Sequence, residues 1–561
     1  MPPAAERLAA AGHPPALARL LARRGVETPE EAERFLHPAV EHLHAALGFA
    51  GMESALERLA AAKAAGALVV VVGDYDADGI SATALLLAAL RACGIAAEAV
   101  LPHRMRDGYG LQESHVREAQ RLGAGLLVTV DCGSTAHGPI DAALAAGLAV
   151  VVVDHHLPDR PLPPAVAHIN PHQDGCPYPF RYLSAAGLAL KLALALGDRL
   201  GRPLPLDALL RVACLGTVAD MVPLVGENRT IAALGLRALA DTRSRGLRAL
   251  FRQAKVTAPF SAVDIAFRIG PRLNAAGRLG SAEPALELLL TRDEERAEAL
   301  SIELERLNVE RRQEELRVVE EAGAQLAARA ELPPILVAWS PGWHRGVVGI
   351  AASRLVRDFG RPALLLAVDG ELATGSGRGV PGLELHRFLA PWRGELERFG
   401  GHAGAVGLTA LAARLPALAA AWEEAALAWP PELTGRAHLY ELHLAPRQVR
   451  GDLQQQVELL APYGEGNRRP LLRVGPLRRM GSPRVFGTSH LRVAAAGEDG
   501  AVVSLLGWSW EPRCAELEGR FEVLAHLERD RLTGGPELHL VDCRPVAGTA
   551  LAEAAEAGDA P

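Results

Sequence analysis

The chain lacks any apolar stretch of the roughly 20 residues that a membrane-spanning helix needs, so no transmembrane segment is predicted. It has six cysteines and no CxxC pair, which argues against both a zinc ribbon and a disulfide framework. A repeat of fixed period is also missing. These absences favour a globular protein of a reducing compartment, and we expect it in the cytoplasm.

Lysine is nearly absent as well. Only three of the 59 basic residues are lysines, and the formal net charge is −7. An acidic total gives no overall indication of nucleic-acid binding, so a surface for a polyanion would have to be local. Arginine would build that surface, since its planar guanidinium can bind two phosphate oxygens at once.

The length of 561 residues is too great for a single core, and several domains of about 100–200 residues are expected. Residues 46–290 begin as a βαβ alternation. Its β-branched runs, "ALVVVVGDYD", "GLLVTVDCG" and "LAVVVVDHH", predict buried parallel strands. We therefore expect a doubly wound α/β domain, mainly helical after residue 171, with a loop at "RIGPRLNAAGRLGSAEP".

The sequence pattern changes along the rest of the chain. Residues 291–330 are charged and free of proline, which predicts one long connecting helix. Residues 331–430 resume an α/β pattern, and residues 431–547 contain short strands at hairpin spacing, as in a small β-barrel. Residues 1–45 are predicted to form a helical segment and residues 548–561 a disordered tail.

Acidic residues and histidines follow all three runs of the first α/β domain. Parallel strands present their carboxyl ends at one edge of the sheet, so these side chains should meet there. A single aspartate after a strand is more often a helix N-cap, but three consecutive strand ends are hard to assign to capping. The residues are Asp74, Asp76 and Asp78 after the first run, Asp131 after the second, and Asp154, His155 and His156 after the third.

Carboxylates massed together need a cation. Asp220, in the apolar segment "CLGTVADMVPL", is a further candidate ligand, although it could also be a satisfied buried aspartate. Oxygen ligands combined with imidazole suit Mn²⁺, with Mg²⁺ as the alternative.

These residues resemble a known family. The motifs "GDYDADG", "VDCG" and "VDHH", in this order, are similar to those of the DHH phosphoesterase superfamily. "PHRMRDGYGL", "TVADMVPL", "GPRLNAAGRLG", "GGHAGAVGL" and "PYGEGNRRPLLRV" narrow the resemblance to the RecJ family of bacterial single-strand-specific DNA exonucleases. It extends over about residues 46–547. The α/β regions then resemble the domains called DHH and DHHA1, and the barrel resembles an OB-fold.

The resemblance implies a site for two metal ions. Its ligands would be Asp76, Asp78, Asp131, His155 and Asp220, with Asp131 as the bridge between the ions. Asp74, Asp154 and His156 would then either support the ligands or act as catalytic helpers. His156 would donate a hydrogen bond to the phosphate or a proton to the leaving group, or else support His155. Some members have a histidine four residues before the position of Asp76, whereas this chain has Val72. The outer ion is therefore expected to be held more weakly or to be completed by water.

The resemblance also implies how substrate is held. Arg278 is expected to bind the scissile phosphate, within a "RLNAAGR" loop that also contains Arg272 and Asn274. Ser376 and Arg378 are predicted on the glycine-rich loop "ATGSGRGVPG", and with Arg104 they would form a pocket for a terminal 5′ phosphate. His402, among small residues, is a further substrate-binding candidate.

The barrel would bind a single strand by stacking bases on aromatic rings along a basic groove. Whether the two aromatic candidates are instead core residues is left open, and strand alternation predicts Trp508 and Trp510 on one face. The candidates are Arg478, Arg479, Arg484, Phe486, Arg492 and Trp508.

The leading hypothesis is a Mn²⁺-dependent or Mg²⁺-dependent 5′→3′ exonuclease on single-stranded DNA, in DNA repair and recombination. The 5′ direction rests on the resemblance alone. One alternative is a DHH phosphodiesterase for short oligonucleotides or cyclic dinucleotides, which would need no barrel. Another is a DNA-binding scaffold without catalysis, which would have lost metal ligands. A monomer is expected, and the family implies single-strand-binding protein and recombination-repair factors as partners.

Overall fold

The computed structural model describes residues 2–104, 106–402, 404–430, 433, 438–530 and 533–546, and of His402 the backbone alone. The predicted tail, 548–561, lies outside these residues. Two compact units are present: one combines Met1–His42, Pro223–Ala233 and the chain from His438, and the other combines Leu43–Val222 with Leu234–Ala437. No helix in the described ranges is both long and apolar enough to cross a membrane.

The helices are α1 (Pro3–Ala10), α2 (Pro15–Ala22), α3 (Pro29–Leu36), α4 (Met52–Ala65), α5 (Ala77–Ala92), α6 (Glu113–Arg121), α7 (His137–Ala145), α8 (Ala185–Arg199), α9 (Leu206–Ala219), α10 (Gly226–Leu239), α11 (Arg245–Ala254), α12 (Ala262–Asp264), α13 (Gly270–Leu279), α14 (Glu283–Leu290), α15 (Glu294–Ala327), α16 (Val348–Phe359), α17 (Leu385–Leu389), α18 (Leu415–Ala426) and α19 (Gly451–Glu458). The strands are β1 (Leu68–Val72), β2 (Ala97–Val100), β3 (Ala124–Val130), β4 (Ala149–Val153), β5 (Ala167–Ile169), β6 (Leu336–Pro341), β7 (Ala363–Asp369), β8 (Leu372–Arg378), β9 (Arg398–His402), β10 (Ala405–Leu411), β11 (Leu442–Leu444), β12 (Leu471–Phe486), β13 (His490–Gly497), β14 (Val502–Gly507), β15 (Arg520–Arg529) and β16 (Pro536–Pro545).

The first sheet confirms the doubly wound prediction. Its strands run parallel in the order β2-β1-β3-β4-β5. Val70 and Val72 of β1 pack on one face with residues of α6 and α7, and α4, α5 and α8 contact the strands from the other side. Burial on both faces explains why these strands are unbroken apolar runs in the sequence. The order reverses between β1 and β3, where open α/β sheets bind their ligands.

The prediction of a loop at "RLNAAGR" is wrong, because this segment lies in the helix α13. A π-helical turn, Ile265–Ile269, precedes this helix. Gly270 and Pro271 suggested a break, but proline is tolerated in the first turn of a helix, where its missing N–H has no intrahelical partner. The residues after them are good helix formers and several are buried.

The second α/β domain has the mixed sheet β6-β7-β8-β10-β9. The predicted loop at Ser376 and Arg378 is wrong, since both lie in β8, which pairs antiparallel with β7 and β10. The glycines of β8 allow close packing between neighbouring strands and do not form a turn. A Cβ on Gly375 would lie 2.5 Å from a side-chain atom of Leu366, and one on Gly377 would lie 2.6 Å from Val406.

The predicted long helix is confirmed as α15, which has 34 residues and is N-capped by Asp293. Leu300 and Leu304 are buried near its start, where α15 contacts α11, α13 and α14. Val318 and Leu326, near its end, belong to the core of the second α/β domain. The helix therefore contributes to the packing of both α/β domains within its unit.

The C-terminal strands β12, β13, β14, β16 and β15 form a ring, which the pairing of β12 with β15 closes into a five-stranded barrel. Its core includes residues that the sequence did not connect to it, such as Leu8, Leu17 and Leu20 of the N-terminal helices. Arg24 strengthens this contact by donating to Glu441 at 2.6 Å and to the Asn467 amide oxygen at 2.8 Å. The exact domain boundaries stay predictions.

Trp508 and Trp510, which the sequence predicts on one face of a barrel strand, differ in their exposure to water. β14 ends at Gly507, and Ser509 has a left-handed φ of 57°. The turn leaves Trp508 exposed, at 53% of its surface, and buries Trp510, at 4%. Strand alternation could not predict this because the alternation stops one residue before Trp508.

Candidate metal centre

The carboxyl ends of three neighbouring parallel strands form the centre. Asp74 follows β1, Asp131 follows β3, and Asp154, His155 and His156 follow β4. β1 and β3 flank the point where the strand order reverses, so the topology places these side chains together at the ligand-binding edge.

The turn after β1 is held by the start of α5. Asp76 is its N-cap, and its Oδ1 accepts hydrogen bonds from the N–H groups of Asp78 at 3.0 Å and Gly79 at 3.1 Å. Gly79 is required here, because a Cβ would lie 2.7 Å from the backbone nitrogen of Asp74. The N-cap interpretation is therefore correct for Asp76, and it fixes the direction of a carboxylate whose other oxygen can still bind a cation.

Asp78 is fixed by a different helix. Its two carboxylate oxygens accept hydrogen bonds from the N–H groups of Ala185 at 2.7 Å and Ala186 at 2.9 Å, in the first turn of α8. Helix N-termini stabilise negative charge. Gly216 of α9 leaves room for this carboxylate, since a Cβ there would lie 2.3 Å from Asp78 Oδ1.

Asp131 has a left-handed backbone, with φ of 63°, which costs free energy for any residue except glycine. Its Oδ1 lies 3.2 Å from His155 Nε2, and the same imidazole nitrogen is 3.7 Å from Asp220 Oδ2. The strained turn thus directs the carboxylate into the middle of the cluster.

Three buried atoms in the cluster have no hydrogen-bond partner among the described residues, although two of them, Asp131 Oδ1 and His155 Nε2, lie 3.2 Å apart in a geometry that forms no hydrogen bond. They are Asp74 Oδ1, Asp131 Oδ1 and His155 Nε2. An unpaired buried polar atom costs roughly 1–3 kcal/mol, and three at one place indicate a missing partner. A cation is the partner that would satisfy two carboxylate oxygens and an imidazole nitrogen together.

The pKa shifts of the carboxylates also indicate a cation at this place. Burial first, and then the neighbouring carboxylates, raise the pKa of Asp74, Asp131 and Asp220 well above the ordinary value. The same causes raise the pKa of Asp78 to about 7, against the opposing effect of its backbone hydrogen bonds. Each charged carboxylate thus makes its neighbours harder to ionise, and a divalent cation would reverse the effect.

His155 is suited to bind a metal. Burial and then the neighbouring His156 lower its pKa to about 4, so the ring is neutral near neutral pH. Neutral imidazole is the form that coordinates metals.

His156 is held in a different way. Its Nδ1 lies 2.7 Å from Asp154 Oδ1, and Asp154 also accepts hydrogen bonds from the N–H groups of Ser134, His155 and His156. Burial lowers the pKa of His156, but the hydrogen bond and charge of Asp154 outweigh this and raise it. Asp154 is occupied by these contacts, which makes it a support for His156 rather than a free ligand.

The residues present fit a metal. Three groups of three residues could each hold an ion, because one potential ligand atom from each residue lies within 4.8 Å of those of the other two. The groups are Asp131 with His155 and His156; Asp78 with His155 and Asp220; and Asp74 with Asp76 and Asp131. All five predicted ligands belong to these groups, and carboxylate oxygen with imidazole nitrogen is a donor set for Mn²⁺. The individual roles stay predictions.

Sequence reasoning missed two residues around His156. The hydroxyl of Tyr109 lies 3.0 Å from its Nε2 and 3.2 Å from its Nδ1, and Asn170 donates to its backbone oxygen at 2.8 Å. Tyr109 belongs to the motif "PHRMRDGYGL", which carries the family resemblance but does not by itself indicate a contact with His156. Asn170 follows β5 and has no comparable pattern around it.

Three of the predicted phosphate-binding arginines converge. Arg278 is held by a hydrogen bond from its Nη1 to the backbone oxygen of Gly346, at 3.2 Å. Burial, followed by the nearby positive charges that include Arg104 and Arg378, lowers the pKa of Arg278 to about 10. Cations that repel one another in a partly buried place favour an anion between them.

The side chains of Ser376 and Arg378 are also in contact. Arg378 Nη1 donates to Ser376 Oγ at 2.6 Å. The first turn of α16 lies against this pair, because a Cβ on Gly349 would be 3.0 Å from Arg378 Nη2 and 3.1 Å from Ser376 Oγ. A hydroxyl, a guanidinium and a helix N-terminus together form an anion-binding arrangement.

Two other candidates make internal contacts instead. Arg272 is paired with Glu305 at 2.6 Å, and Asn274 Oδ1 accepts a hydrogen bond from the N–H of Ala77 at 2.8 Å. The contact of Asn274 supports the turn that contains Asp76. Assignment of these two residues to substrate stays a prediction, and the side chain of His402 lies outside the described residues.

The barrel has a cluster of aromatic rings around the exposed Trp508. Its ring centroid lies 5.0 Å from His490, 6.1 Å from Phe486 and 6.2 Å from His539. Arg478 and Arg484 are exposed, whereas Arg492 is paired with Glu537 at 3.0 Å. Arg479 is half-buried and lies 3.8 Å from Glu518. These rings and the two exposed arginines suit a single strand, and Arg492 has a structural role.

Comparison with known protein families gives three matches. The DHH family, N-terminal domain, matches residues 68–217, the DHHA1 domain matches residues 332–427, and the RecJ OB domain matches residues 440–541. The three models fall on the parallel sheet with the carboxylate cluster, on the second α/β domain and on the barrel, respectively.

Curated relatives are named single-stranded-DNA-specific exonuclease RecJ. The chain is 41% identical to the protein of Dickeya dadantii, over 71% of this chain and 72% of that protein. It is 36% identical to the Escherichia coli protein, over 86% of each. The Bacillus subtilis relative is 38% identical over 81% of this chain, which spans 58% of that protein's length.

Solved structures of RecJ are also similar to this chain. RecJ of Thermus thermophilus in complex with Mn²⁺ superposes with a TM-score of 0.82 at 32% identity, over 97% of this chain and 78% of that one. The complex of the same protein with Mg²⁺ gives a TM-score of 0.77 at 30% identity, over 97% and 76%.

Asp131→Asn tests the cluster, because asparagine tolerates the left-handed backbone and removes only the charge. At a concentration of about 100 times the dissociation constant, Mn²⁺ should raise the unfolding free energy of the wild type by about 2.7 kcal/mol for each ion bound. The variant should lose most of this gain. In EDTA, it should unfold at the same or a higher temperature than the wild type, because one repelling charge is gone. Thermal unfolding with and without Mn²⁺ measures both effects.

The exposed Asp141, on α7 of the same domain, provides the control: Asp141→Asn should respond to Mn²⁺ like the wild type. Equal stabilisation of Asp131→Asn and wild type by Mn²⁺ would remove Asp131 from the metal centre.

Proposed function

The chain belongs to the RecJ family, and on that premise we propose that it is a metal-dependent exonuclease that hydrolyses single-stranded DNA in the 5′→3′ direction. The observation that supports this most strongly is the cluster of unpaired carboxylate and imidazole atoms at the carboxyl ends of β1, β3 and β4. DNA repair and recombination in the cytoplasm is the proposed setting. We further propose that the protein acts as a monomer, with single-strand-binding protein and recombination-repair factors as partners.

Two Mn²⁺ ions, or Mg²⁺ in their place, would be held by Asp76, Asp78, Asp131, His155 and Asp220. Asp131 is proposed as the bridge because its carboxylate belongs to one group with Asp74 and Asp76 and to another with His155. Bound dications supply Lewis-acid polarisation of a phosphoryl oxygen and lower the pKa of water at the site.

The protein's own groups orient the substrate. His156 is supported by Asp154 on one side, and 44% of its side chain is exposed, so its ring can reach a phosphate from the crevice. We propose that it donates a hydrogen bond to the scissile phosphate or a proton to the leaving oxygen. Arg278, which is fixed through Gly346, would bind the same phosphate.

The direction of digestion would follow from a pocket for the terminal phosphate. Arg104, Ser376 and Arg378 would form it, with the first turn of α16 behind the last two. We propose that a phosphate seated there would place the next phosphodiester at the cluster, so that digestion would require a free 5′ end. The rings around Trp508 on the barrel would stack bases farther along the strand.

Digestion of end-labelled strands tests the activity and its direction. A 5′-labelled single strand should release a labelled mononucleotide from the start of the reaction, and a 3′-labelled strand should shorten stepwise. Both reactions should need Mn²⁺ or Mg²⁺, stop in EDTA and be absent in Asp131→Asn. Immediate release of mononucleotide from the 3′ label would contradict the direction, and cleavage in EDTA would contradict the metal dependence.

The same experiment with a length series distinguishes the phosphodiesterase alternative. An exonuclease with a binding barrel should prefer strands longer than the roughly 4–16 nucleotides that one OB-fold binds. Activity confined to dinucleotides would favour the alternative.

Arg378→Ala should affect substrates with a 5′ phosphate more than those with a 5′ hydroxyl, since a phosphate pocket acts only when a phosphate is present. A hydrogen bond to a charged group contributes about 1.5–3 kcal/mol, so KM for the phosphorylated strand should rise by about 10-fold to 150-fold. Steady-state kinetics on the two strands measures the difference.

Arg387→Ala is the matched control, because Arg387 lies in the same domain with 87% of its side chain exposed. It should leave both KM values unchanged. Equal losses on the two strands in Arg378→Ala would take Arg378 out of the phosphate pocket.

A further inference from the structure

The loop between β2 and α6 contains two residues that reach the centre from different directions. Arg104, near its start, lies over the ring of Tyr75 with 4.9 Å to the centroid. Tyr109, farther along, places its hydroxyl against His156. Gly108 and Gly110, on either side of Tyr109, have φ values of 82° and 78°. The backbone oxygen of His103 accepts hydrogen bonds from the N–H groups of Arg106 at 3.0 Å and Asp107 at 2.8 Å. The position of Arg104 also depends on the side chains that support this turn.

Asp107 supplies that support. Its Oδ2 accepts a hydrogen bond from the N–H of His103 at 2.8 Å, which closes the chain around Arg104. Arg106 donates to both carboxylate oxygens, at 2.8 and 3.0 Å. The side chain of Asp107 is 6% exposed although Arg106 is 74% exposed, so the carboxylate points inward and the arginine covers it.

His115, in the first turn of α6, lies beside this carboxylate. Its Nδ1 accepts a hydrogen bond from the N–H of Gln112 at 3.2 Å. Its buried Nε2 lies 3.5 Å from Asp107 Oδ2 but has no hydrogen-bond partner among the described residues. The end of the loop is held separately, because the side chain of Gln112 donates to the backbone oxygen of Tyr109 at 2.9 Å.

We propose that Asp107 is a positioning residue for substrate binding: by accepting a hydrogen bond from the backbone N–H of His103, it holds Arg104 where the terminal phosphate binds. Asp107 itself touches no substrate in this account. The inference rests on the proposed function, because it assigns a role within the same phosphate pocket.

The physical argument is one of preorganisation. A flexible loop that must be ordered when substrate arrives loses binding free energy to conformational entropy, and a loop ordered beforehand does not. The carboxylate is largely shielded from water, so its hydrogen bonds to the loop are stronger than they would be on an exposed surface. Loss of Asp107 should therefore weaken phosphate binding through Arg104 without removing any group from the metal centre.

The test compares Asp107→Asn, Arg104→Ala and the double variant on strands with a 5′ phosphate and a 5′ hydroxyl. Asp107→Asn should raise KM for the phosphorylated strand about tenfold, the scale of one charge-assisted hydrogen bond, and leave kcat within about threefold. KM for the hydroxyl strand should change little. The double variant should be no worse than Arg104→Ala alone, because both changes remove the same contact.

Two further variants guard against a simple folding defect. Arg117→Gln changes a residue of α6 with 69% of its side chain exposed and no contact with Asp107, and it should behave like the wild type. His115→Phe keeps a ring in the buried space and removes no hydrogen bond of Asp107, so the preference for a 5′ phosphate should persist.

The outcomes separate this inference from the proposed function. If Arg104→Ala does not change the preference for a 5′ phosphate, the pocket itself is wrong. If Arg104→Ala changes it and Asp107→Asn does not, the pocket stands and the role of Asp107 is overturned. Additive losses in the double variant, or equal losses on both strands in Asp107→Asn, would also overturn it.

Discussion

Repulsion among carboxylates buried at the carboxyl ends of β1 and β3 is the constraint on which the rest of the structure depends. Asp74, Asp78 and Asp131 are nearly inaccessible to water, and each raises the cost of ionising its neighbours. Without cations, the cluster is stable only if protons replace them. Dications convert the same arrangement into a favourable one, which explains why three strands end in acid at one edge of the sheet.

The surrounding fold orients those carboxylates. Asp76 caps α5, Asp78 accepts hydrogen bonds from two N–H groups at the start of α8, and Asp131 is directed inward by a left-handed turn. Helix N-termini thus hold Asp76 and Asp78, and the start of α16 lies against Ser376 and Arg378 in the second domain. The same physical device, aligned backbone N–H groups, supports both these proposed metal ligands and the proposed phosphate pocket.

The sequence predicted most of the centre, because parallel strands must bring their carboxyl ends together and Asp131 and His155 follow such strands. It failed where glycine was ambiguous. The glycine-rich segment around Ser376 predicts a loop, whereas Gly375 and Gly377 permit close packing in a strand. Asp107 and Tyr109 lie in a loop without periodicity, and the packing of Leu8 and Leu20 against the barrel joins segments more than 400 residues apart. Only the folded chain shows such contacts.

Diffraction from crystals grown with Mn²⁺, with data collected at the manganese absorption edge, tests the central claim most directly. The account predicts two anomalous peaks in the cluster: one beside Asp76 and Asp131, and the other beside His155 and Asp220, with the carboxylate of Asp131 in contact with both. An empty cluster at saturating Mn²⁺ would contradict it. So would bound manganese that leaves Asp131 uncoordinated, because the unpaired carboxylate oxygen would then need another explanation.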